Sequence, residues 1–224
     1  MAAPAQRTAG GSPYDAPVDP SALLVVPSYL VGTFPTGLLV GRRAGHDPTA
    51  EGSGNPGATN VARLAGRKAG VVVLLVDLAK GALPAAVGVA VGGTLLGLAC
   101  GAAAVLGHVA PVTRHFRGGK GVATASGTVI VVYPALSLLV GTVFVVTALV
   151  TRRVSVASLA MAVSLPVVLA LGGRPPAEVA LAAGVAVCVI ARHHENIARL
   201  RRRQEPPFRL SRSPSRTSPP RDES

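Results

Sequence analysis

Long apolar blocks alternate with short polar stretches along this chain. Blocks of this kind predict membrane-spanning helices, because roughly 20 apolar residues cross the hydrocarbon core of a bilayer. Five blocks are read directly as single spans: 22–40, 69–91, 93–106, 154–171 and 177–190.

The block 121–150 is harder to assign. Its 30 residues would form a helix of about 45 Å, against a hydrocarbon core roughly 30 Å thick. A single crossing would put Lys120 and Arg152 on opposite sides, whereas two short helices broken near Tyr133 and Pro134 put every basic cluster on one side. The sequence therefore predicts an all-α integral membrane protein, a bundle of seven transmembrane helices with the N-terminus outside and the C-terminus in the cytoplasm.

Composition supports a membrane protein and divides the chain into three parts. Hydrophobic residues make up 49% of the chain and charged residues only 14%, well below the charge of a soluble domain. We expect residues 1–20, which lack a signal-peptide pattern, to be a disordered extension. Residues 21–203 form the predicted membrane domain, and 204–224 a disordered tail rich in basic residues, proline and serine.

The net charge of +12 would suggest nucleic acid as a partner in a soluble protein. Here the lysines and arginines lie mainly between the apolar blocks, as the positive-inside rule predicts. The chain has no tryptophan and few other aromatics, although aromatic side chains stack on the bases in nucleic-acid-binding proteins. A membrane lipid partner is expected, and nucleic acid is not.

The first polar stretch with candidate chemistry is GSGNPGATN, residues 52–60. It matches G-x-G-x-x-G, with Asp77 about 20 residues later. No strand precedes it and Asp77 lies in a predicted span, so the dinucleotide-binding interpretation fails. Glycines can still let backbone N–H groups line an anion site, although an ordinary turn is the alternative. The candidate anion-binding residues are Ser53, Gly54, Asn55, Gly57, Thr59 and Asn60, followed by Arg63.

Further polar candidates follow at the ends of later spans. In FRGGKG, residues 116–121, glycines flank Lys120 and suit a close approach to phosphate, although a solvated basic loop would look the same. Asp77 and Lys80, spaced i,i+3, form a predicted ion pair within the second span, and charges there indicate function. His108, His193 and Asn196 complete the candidates. Neither a metal nor a cofactor is expected.

Two phosphate sites beside a lipid-accessible bundle suggest an enzyme that joins a phosphorylated headgroup to a lipid donor. The chain has neither a G-x-S-x-G elbow nor a His-x4-Asp pair. The alternative is an organic-anion transporter or channel, which would use similar glycine nests and buried charge. That alternative predicts polar residues near the bilayer midplane on several spans. Only Asp77 and Lys80, both on the second span, meet this expectation.

Three separated stretches resemble the motifs of one family. They are GSGNPGATN, then DLAKG with GHVAPVTRHFRGGKGVAT, then RHHENI. Together they resemble the acyl-phosphate glycerol-3-phosphate acyltransferases, the PlsY family of bacterial inner-membrane enzymes, over about residues 24–203. The resemblance implies a seven-span bundle in the bacterial plasma membrane, with the motifs on the cytoplasmic face.

The same resemblance implies a reaction. A fatty acyl group would pass from acyl phosphate to the 1-hydroxyl of glycerol 3-phosphate, giving 1-acylglycerol 3-phosphate (lysophosphatidate) and phosphate. This is the first acylation step of phospholipid biosynthesis, and it needs no acyl-CoA, acyl carrier protein, metal or cofactor. We expect a monomer.

Residue roles also follow from the resemblance. It implies catalytic roles for Ser53, Arg63, His108, His193 and Asn196, binding of glycerol 3-phosphate by Gly118, Gly119, Lys120 and Gly121, and a structural role for Glu195. Thr113 and His115 stand where the family usually has aromatic and glycine residues, so the lining of that loop is expected to differ. Either His108 or the donor phosphate would take the hydroxyl proton, and we favour the phosphate because no carboxylate pair is present.

Overall fold

The computed structural model describes residues 20–207, so most of the two predicted terminal extensions lies outside the described residues. Regular structure in the described range is entirely helical. The α-helices are α1 (Val25–Gly32), α2 (Thr36–Arg43), α3 (Ala58–Ala65), α4 (Arg67–Val109), α5 (Val122–Val132), α6 (Pro134–Thr151), α7 (Val154–Leu171), α8 (Pro176–Arg192) and α9 (His194–Arg201).

Four helical stretches are long and apolar enough to cross a bilayer: Pro20–Arg43, Arg67–Arg114, Pro134–Thr151 and Val154–Leu171. The pair α8 and α9, bent by 58° at His193, makes a fifth if it is counted as one span. Large apolar side chains such as Leu138, Val150 and Leu171 point outward, each at least 75% exposed, as expected of lipid-facing positions.

The first predicted span, 22–40, is two short helices rather than one. The chain leaves the helix at Thr33 and re-enters it at Thr36. Pro35 causes this break, because proline has no N–H to donate and disfavours helical geometry in the residue before it. At the break, the carbonyl of Phe34 accepts a hydrogen bond from Lys80 at 2.8 Å in addition to one from the N–H of Thr36 at 3.0 Å.

Helix α4 folds back on itself. Its 43 residues would extend about 65 Å, roughly twice the hydrocarbon thickness. Gly92 and Gly93 depart from helical geometry, with Gly93 at φ 75°, a conformation open mainly to glycine. A Cβ placed on Gly88 would lie 2.8 Å from the Cα of Gly97, so the two arms pack against each other, and the turn falls where the sequence separates 69–91 from 93–106.

The block 121–150 forms two helices, as predicted. Helix α5 ends at Val132, Tyr133 is non-helical (φ −136°, ψ 70°), and Pro134 begins α6. Proline suits the first position of a helix because the N–H that it lacks would have no partner there.

Close backbone contact between α4 and α5 fixes the centre of the bundle. A Cβ on Gly81 would lie 1.9 Å from the carbonyl oxygen of Thr124, and one on Gly127 would lie 2.0 Å from that of Leu78. Only glycine fits at these positions, a common device of helix packing in membranes. The contact holds the arm that carries Asp77 and Lys80 beside the start of α5.

Candidate active site

A cavity of about 550 Å³ at one end of the bundle brings the three polar stretches together. Predicted residues in its wall are Ser53, Asn55, Gly57, Thr59, Asn60, Arg63, Asp77, His108, Lys120, Gly121, His193 and Asn196. Five other predicted residues, Gly54, Lys80, Gly118, Gly119 and Glu195, do not line it. The cavity thus combines side chains from α3, both arms of α4, the loop before α5 and the junction of α8 with α9.

The loop 52–57 is held from within by Asn60, which is 2% exposed. Its Oδ1 accepts the backbone N–H of Ser53 at 3.0 Å, and its Nδ2 donates to the carbonyls of Pro48 and Glu51 at 3.1 Å each. Asn60 therefore shapes the loop, since three of its hydrogen-bonding positions are used by the backbone. Ser53, Asn55, Thr59 and Arg63 are the polar side chains of this stretch that remain to face a ligand.

Asp77, Lys80 and His108 form a buried polar cluster beside the cavity. The Nζ of Lys80 lies 2.8 Å from Oδ1 of Asp77 and 3.3 Å from Nδ1 of His108. Asp77 and Lys80 are 3% and 5% exposed, so the predicted ion pair is confirmed as a contact. Lysine has only donors, so Nδ1 of His108 acts as the acceptor and Nε2 carries the ring proton.

The other predicted histidine has the opposite arrangement. His193 is buried, and its Nδ1 lies 2.7 Å from the carbonyl oxygen of Val189. A carbonyl can only accept, so Nδ1 carries the proton and Nε2 is left as an acceptor. His108 is thus arranged to donate a hydrogen bond through Nε2 and His193 to accept one.

The glycines of FRGGKG form a tight connection to the end of α4. The N–H groups of Gly118 and Gly119 donate to the carbonyls of Val109 and His108 at 3.1 and 3.0 Å. The guanidinium of Arg192 donates to the carbonyls of both glycines, at 2.8 and 3.2 Å. A Cβ on Gly119 would lie 2.1 Å from Nε2 of His108, so glycine allows the loop to pack directly against His108. Lys120 is the cation of this loop that lines the cavity.

Lys120 begins a chain of polar contacts across the cavity wall. Its Nζ donates to Oδ1 of Asn196, whose Nδ2 donates to Oε1 of Glu205 at 2.6 Å. Arg199 donates through Nε to Oε2 of Glu205 at 2.7 Å. Burial lowers the pKa of Lys120 to about 8, because a desolvated ammonium loses its hydration. Burial opposes ionisation of Glu205, but hydrogen bonds to its carboxylate outweigh that effect and leave its pKa below the ordinary value.

Glu205 is the main residue that sequence reasoning missed. The predicted membrane domain ends at residue 203, yet Glu205 is 8% exposed and lines the cavity together with Arg199. Glu195, predicted as the supporting carboxylate, lies with its side chain 60% exposed, 3.8 Å from Arg199. The sequence feature that could have indicated Glu205 is its position as a single carboxylate directly after the basic run RLRRRQ.

Part of the cavity wall is apolar. Leu74 and Leu78 of α4, Phe144 and Val145 of α6, and Met161 of α7 line it. The cavity thus offers cations and amides together with a hydrocarbon surface, which suits a ligand with a phosphate head and an acyl chain. In the part of the chain that the structure describes, no three His, Cys, Asp or Glu side chains converge as metal ligands would.

Comparison with known proteins gives concordant results. The model of the family described as glycerol-3-phosphate acyltransferase matches residues 22–203. A glycerol-3-phosphate acyltransferase of Solidesulfovibrio magneticus is 45% identical over 197 residues, covering 86% of this chain and 97% of that protein. The protein of the same name from Geobacter sulfurreducens is 42% identical over 193 residues, covering 84% of this chain and 97% of that one.

Solved structures agree in fold. The glycerol 3-phosphate form of PlsY (YgiH), an integral membrane glycerol 3-phosphate acyltransferase, matches with a TM-score of 0.82 at 38% identity, covering 85% of this chain and 96% of that chain. Its lysophosphatidic acid form matches with a TM-score of 0.79 at the same identity, covering 86% and 97%. This chain is therefore a multi-pass integral membrane protein that belongs to the glycerol-3-phosphate acyltransferase family.

Proposed function

We propose that this protein transfers a fatty acyl group from acyl phosphate to the 1-hydroxyl of glycerol 3-phosphate. The products are 1-acylglycerol 3-phosphate and inorganic phosphate. The observation that carries the proposal is a single cavity whose wall includes both the cations Arg63 and Lys120 and the apolar side chains Phe144 and Met161. The family supports the acceptor, since the matching PlsY structures are named as a glycerol 3-phosphate form and a lysophosphatidic acid form.

The proposed reaction is a direct acyl transfer. The 1-hydroxyl oxygen bonds to the carbonyl carbon of the donor, and the bond from that carbon to the bridging oxygen of the phosphate breaks. Arg63 and Lys120 stabilise the negative charge that develops on the leaving phosphate, since fixed cations at such a position lower the barrier. The reaction needs no covalent enzyme intermediate, because a mixed anhydride is already activated.

The hydroxyl proton passes to the donor phosphate in this scheme, so that the leaving group departs as hydrogen phosphate. The hydrogen bonds of His108 support the choice of the phosphate over that histidine. Nε2 of His108 already carries a proton, because Nδ1 accepts from Lys80. Nε2 of His193 can accept a hydrogen bond and orient the attacking hydroxyl. His193 is therefore assigned an orienting role, and the phosphate the role of base.

The proposal includes an orientation in the bacterial plasma membrane. Seven crossings result if Pro20–Arg43 counts as one, the arms of α4 as two, and α5, α6, α7 and α8 as one each. The N-terminus then lies outside and the cavity faces the cytoplasm. The concentration of arginines at the cavity end supports this orientation through the positive-inside rule. The working unit is proposed to be a monomer.

The test is product formation by the purified full-length protein in detergent. Labelled glycerol 3-phosphate and palmitoyl phosphate should give labelled lysophosphatidate, and Lys120→Ala should lose at least about two orders of magnitude in kcat/KM. Lys68→Ala is the matched control, since Lys68 is an exposed lysine outside the cavity wall and its loss should leave the rate unchanged. A folded wild-type protein that forms no product would overturn the proposal.

A further inference from the structure

A second cavity continues inward from the active-site cavity. It measures about 130 Å³ and lies among α5, α6, α7 and α8. Ser126, Gly141, Ser158 and Met161 line both cavities, which makes the two spaces adjoining. We call the second space the inner cavity.

The wall of the inner cavity is suited to hydrocarbon. Among the described residues 20–207, no charged residue lines it. Its three serines direct their hydroxyls to their own helices: Ser126 to Val122 at 2.9 Å, Ser158 to Val154 at 2.9 Å and Ser137 to Pro134 at 2.6 Å. The donors of the wall are thus already used, and the rest of the lining is apolar apart from the backbone of Gly141.

Gly141 lies where the two cavities meet, and neither packing nor backbone geometry requires glycine there. It sits inside α6, and a Cβ placed on it would have no heavy atom within 4 Å, unlike one on Gly81 or Gly127, which would meet a carbonyl oxygen at about 2 Å. A glycine inside a helix costs roughly 0.5–1 kcal/mol relative to alanine. What the missing side chain provides is open space at the junction.

We infer that the inner cavity receives the distal part of the donor's acyl chain and that Gly141 sets the chain length that the enzyme accepts. The inference rests on the proposed function. With the phosphate at Arg63 and Lys120, the chain runs past the apolar wall of the active-site cavity and enters the inner cavity beside Gly141. From Val122 to Ile130, both of which line the inner cavity, α5 advances about 12 Å, so this wall runs along the bundle and not only across it.

The test compares octanoyl phosphate with palmitoyl phosphate as donors to glycerol 3-phosphate. In Gly141→Leu the side chain fills the junction. The ratio of kcat/KM for palmitoyl to that for octanoyl phosphate should therefore fall at least about tenfold, since even one misfitted methylene changes discrimination by about that factor. Gly184→Leu is the matched control. Gly184 is also a helical glycine with no heavy atom within 4 Å of its Cβ position, but it is exposed and lines neither cavity, so the ratio should keep its wild-type value.

A second variant tests depth along the same path. Ser137 lies one helical turn beyond Gly141 and lines only the inner cavity, so Ser137→Leu should reduce turnover of palmitoyl phosphate while sparing decanoyl phosphate. An unchanged chain-length ratio in a folded, active Gly141→Leu protein, or in Ser137→Leu if the former does not fold, would overturn this inference alone. A wild-type protein inactive with both donors would overturn the proposed function, and this inference with it.

Discussion

At the scale of residues, the site depends on buried polar groups that hold one another in place. Lys120 contacts Asn196, Asn196 contacts Glu205, and Glu205 contacts Arg199. The order of donors fixes the amide of Asn196, because its oxygen must face the ammonium and its nitrogen the carboxylate. Glu205 therefore positions Lys120 through Asn196. It is not assigned a role as a reacting group.

Replacing Glu205 by glutamine should weaken this chain of contacts. The neutral amide no longer attracts Arg199, and one hydrogen bond to a charged group contributes about 1.5–3 kcal/mol. We expect kcat/KM of Glu205→Gln to fall about tenfold or more, together with a lower melting temperature. Glu195→Gln changes an exposed carboxylate in the first turn of α9 that also lies near Arg199, and this variant should behave as wild type. Equal effects at the two positions would contradict the assigned role of Glu205.

The lowered pKa of Lys120 predicts a pH dependence. The charged form binds the phosphate, and its pKa of about 8 means that the free enzyme loses this charge as the pH rises above 8. The KM for glycerol 3-phosphate should then increase, approaching about tenfold per pH unit. Lys120→Arg keeps its charge over this range, so the alkaline rise should vanish in that variant. A rise of the same size in Lys120→Arg would exclude Lys120 as its source.

At the scale of elements, much of the helix arrangement follows from local sequence. Pro134 and the basic clusters predicted the break between α5 and α6, and the pair Gly92–Gly93 fell at the predicted boundary between two apolar blocks. The break at Pro35 was missed because a single apolar block conceals it. Contacts between distant parts of the chain, such as Arg192 with Gly118 and Lys120 with Asn196, leave no local pattern and could not be predicted.

The contact between α4 and α5 gives a stability prediction. Gly127→Ala should drive the new methyl group into the carbonyl of Leu78, which lies 2.0 Å from the Cβ position. Overpacking of this kind costs about 1–3 kcal/mol, so the melting temperature in detergent should drop by several degrees. Gly184→Ala, where the same methyl group meets open space, should not lower it. A Gly127→Ala protein as stable as wild type would show that α4 and α5 are not in tight contact.

At the scale of the whole molecule, the distribution of charge and the position of the cavity together determine the proposed orientation. The cavity lies at the end of the bundle where α3, α9 and the loop before α5 meet. The turn between α7 and α8 carries Arg174. It lies at the end of α7 and α8 that is farther from the cavity. Sequence alone predicted which stretches share a face, but not the inner cavity, whose walls come from four helices.

Cysteine labelling tests this orientation in intact cells. An impermeant thiol reagent should label Arg174→Cys directly, whereas Arg152→Cys should require permeabilised cells. The native Cys100 is buried and Cys188 is partly buried. Labelling of the wild-type chain therefore measures the background signal from these two cysteines. Labelling of Arg152→Cys in intact cells, with Arg174→Cys protected, would reverse the proposed topology.

The identity of the acyl donor distinguishes the proposed reaction from other acylations of glycerol 3-phosphate. Purified protein in detergent should be given labelled glycerol 3-phosphate with palmitoyl phosphate, palmitoyl-CoA or palmitoyl acyl carrier protein in separate reactions, with lysophosphatidate and released phosphate measured together. We predict lysophosphatidate from palmitoyl phosphate alone, with one phosphate released for each product formed. Comparable product from palmitoyl-CoA or from the acyl carrier protein, or none from palmitoyl phosphate, would contradict the account.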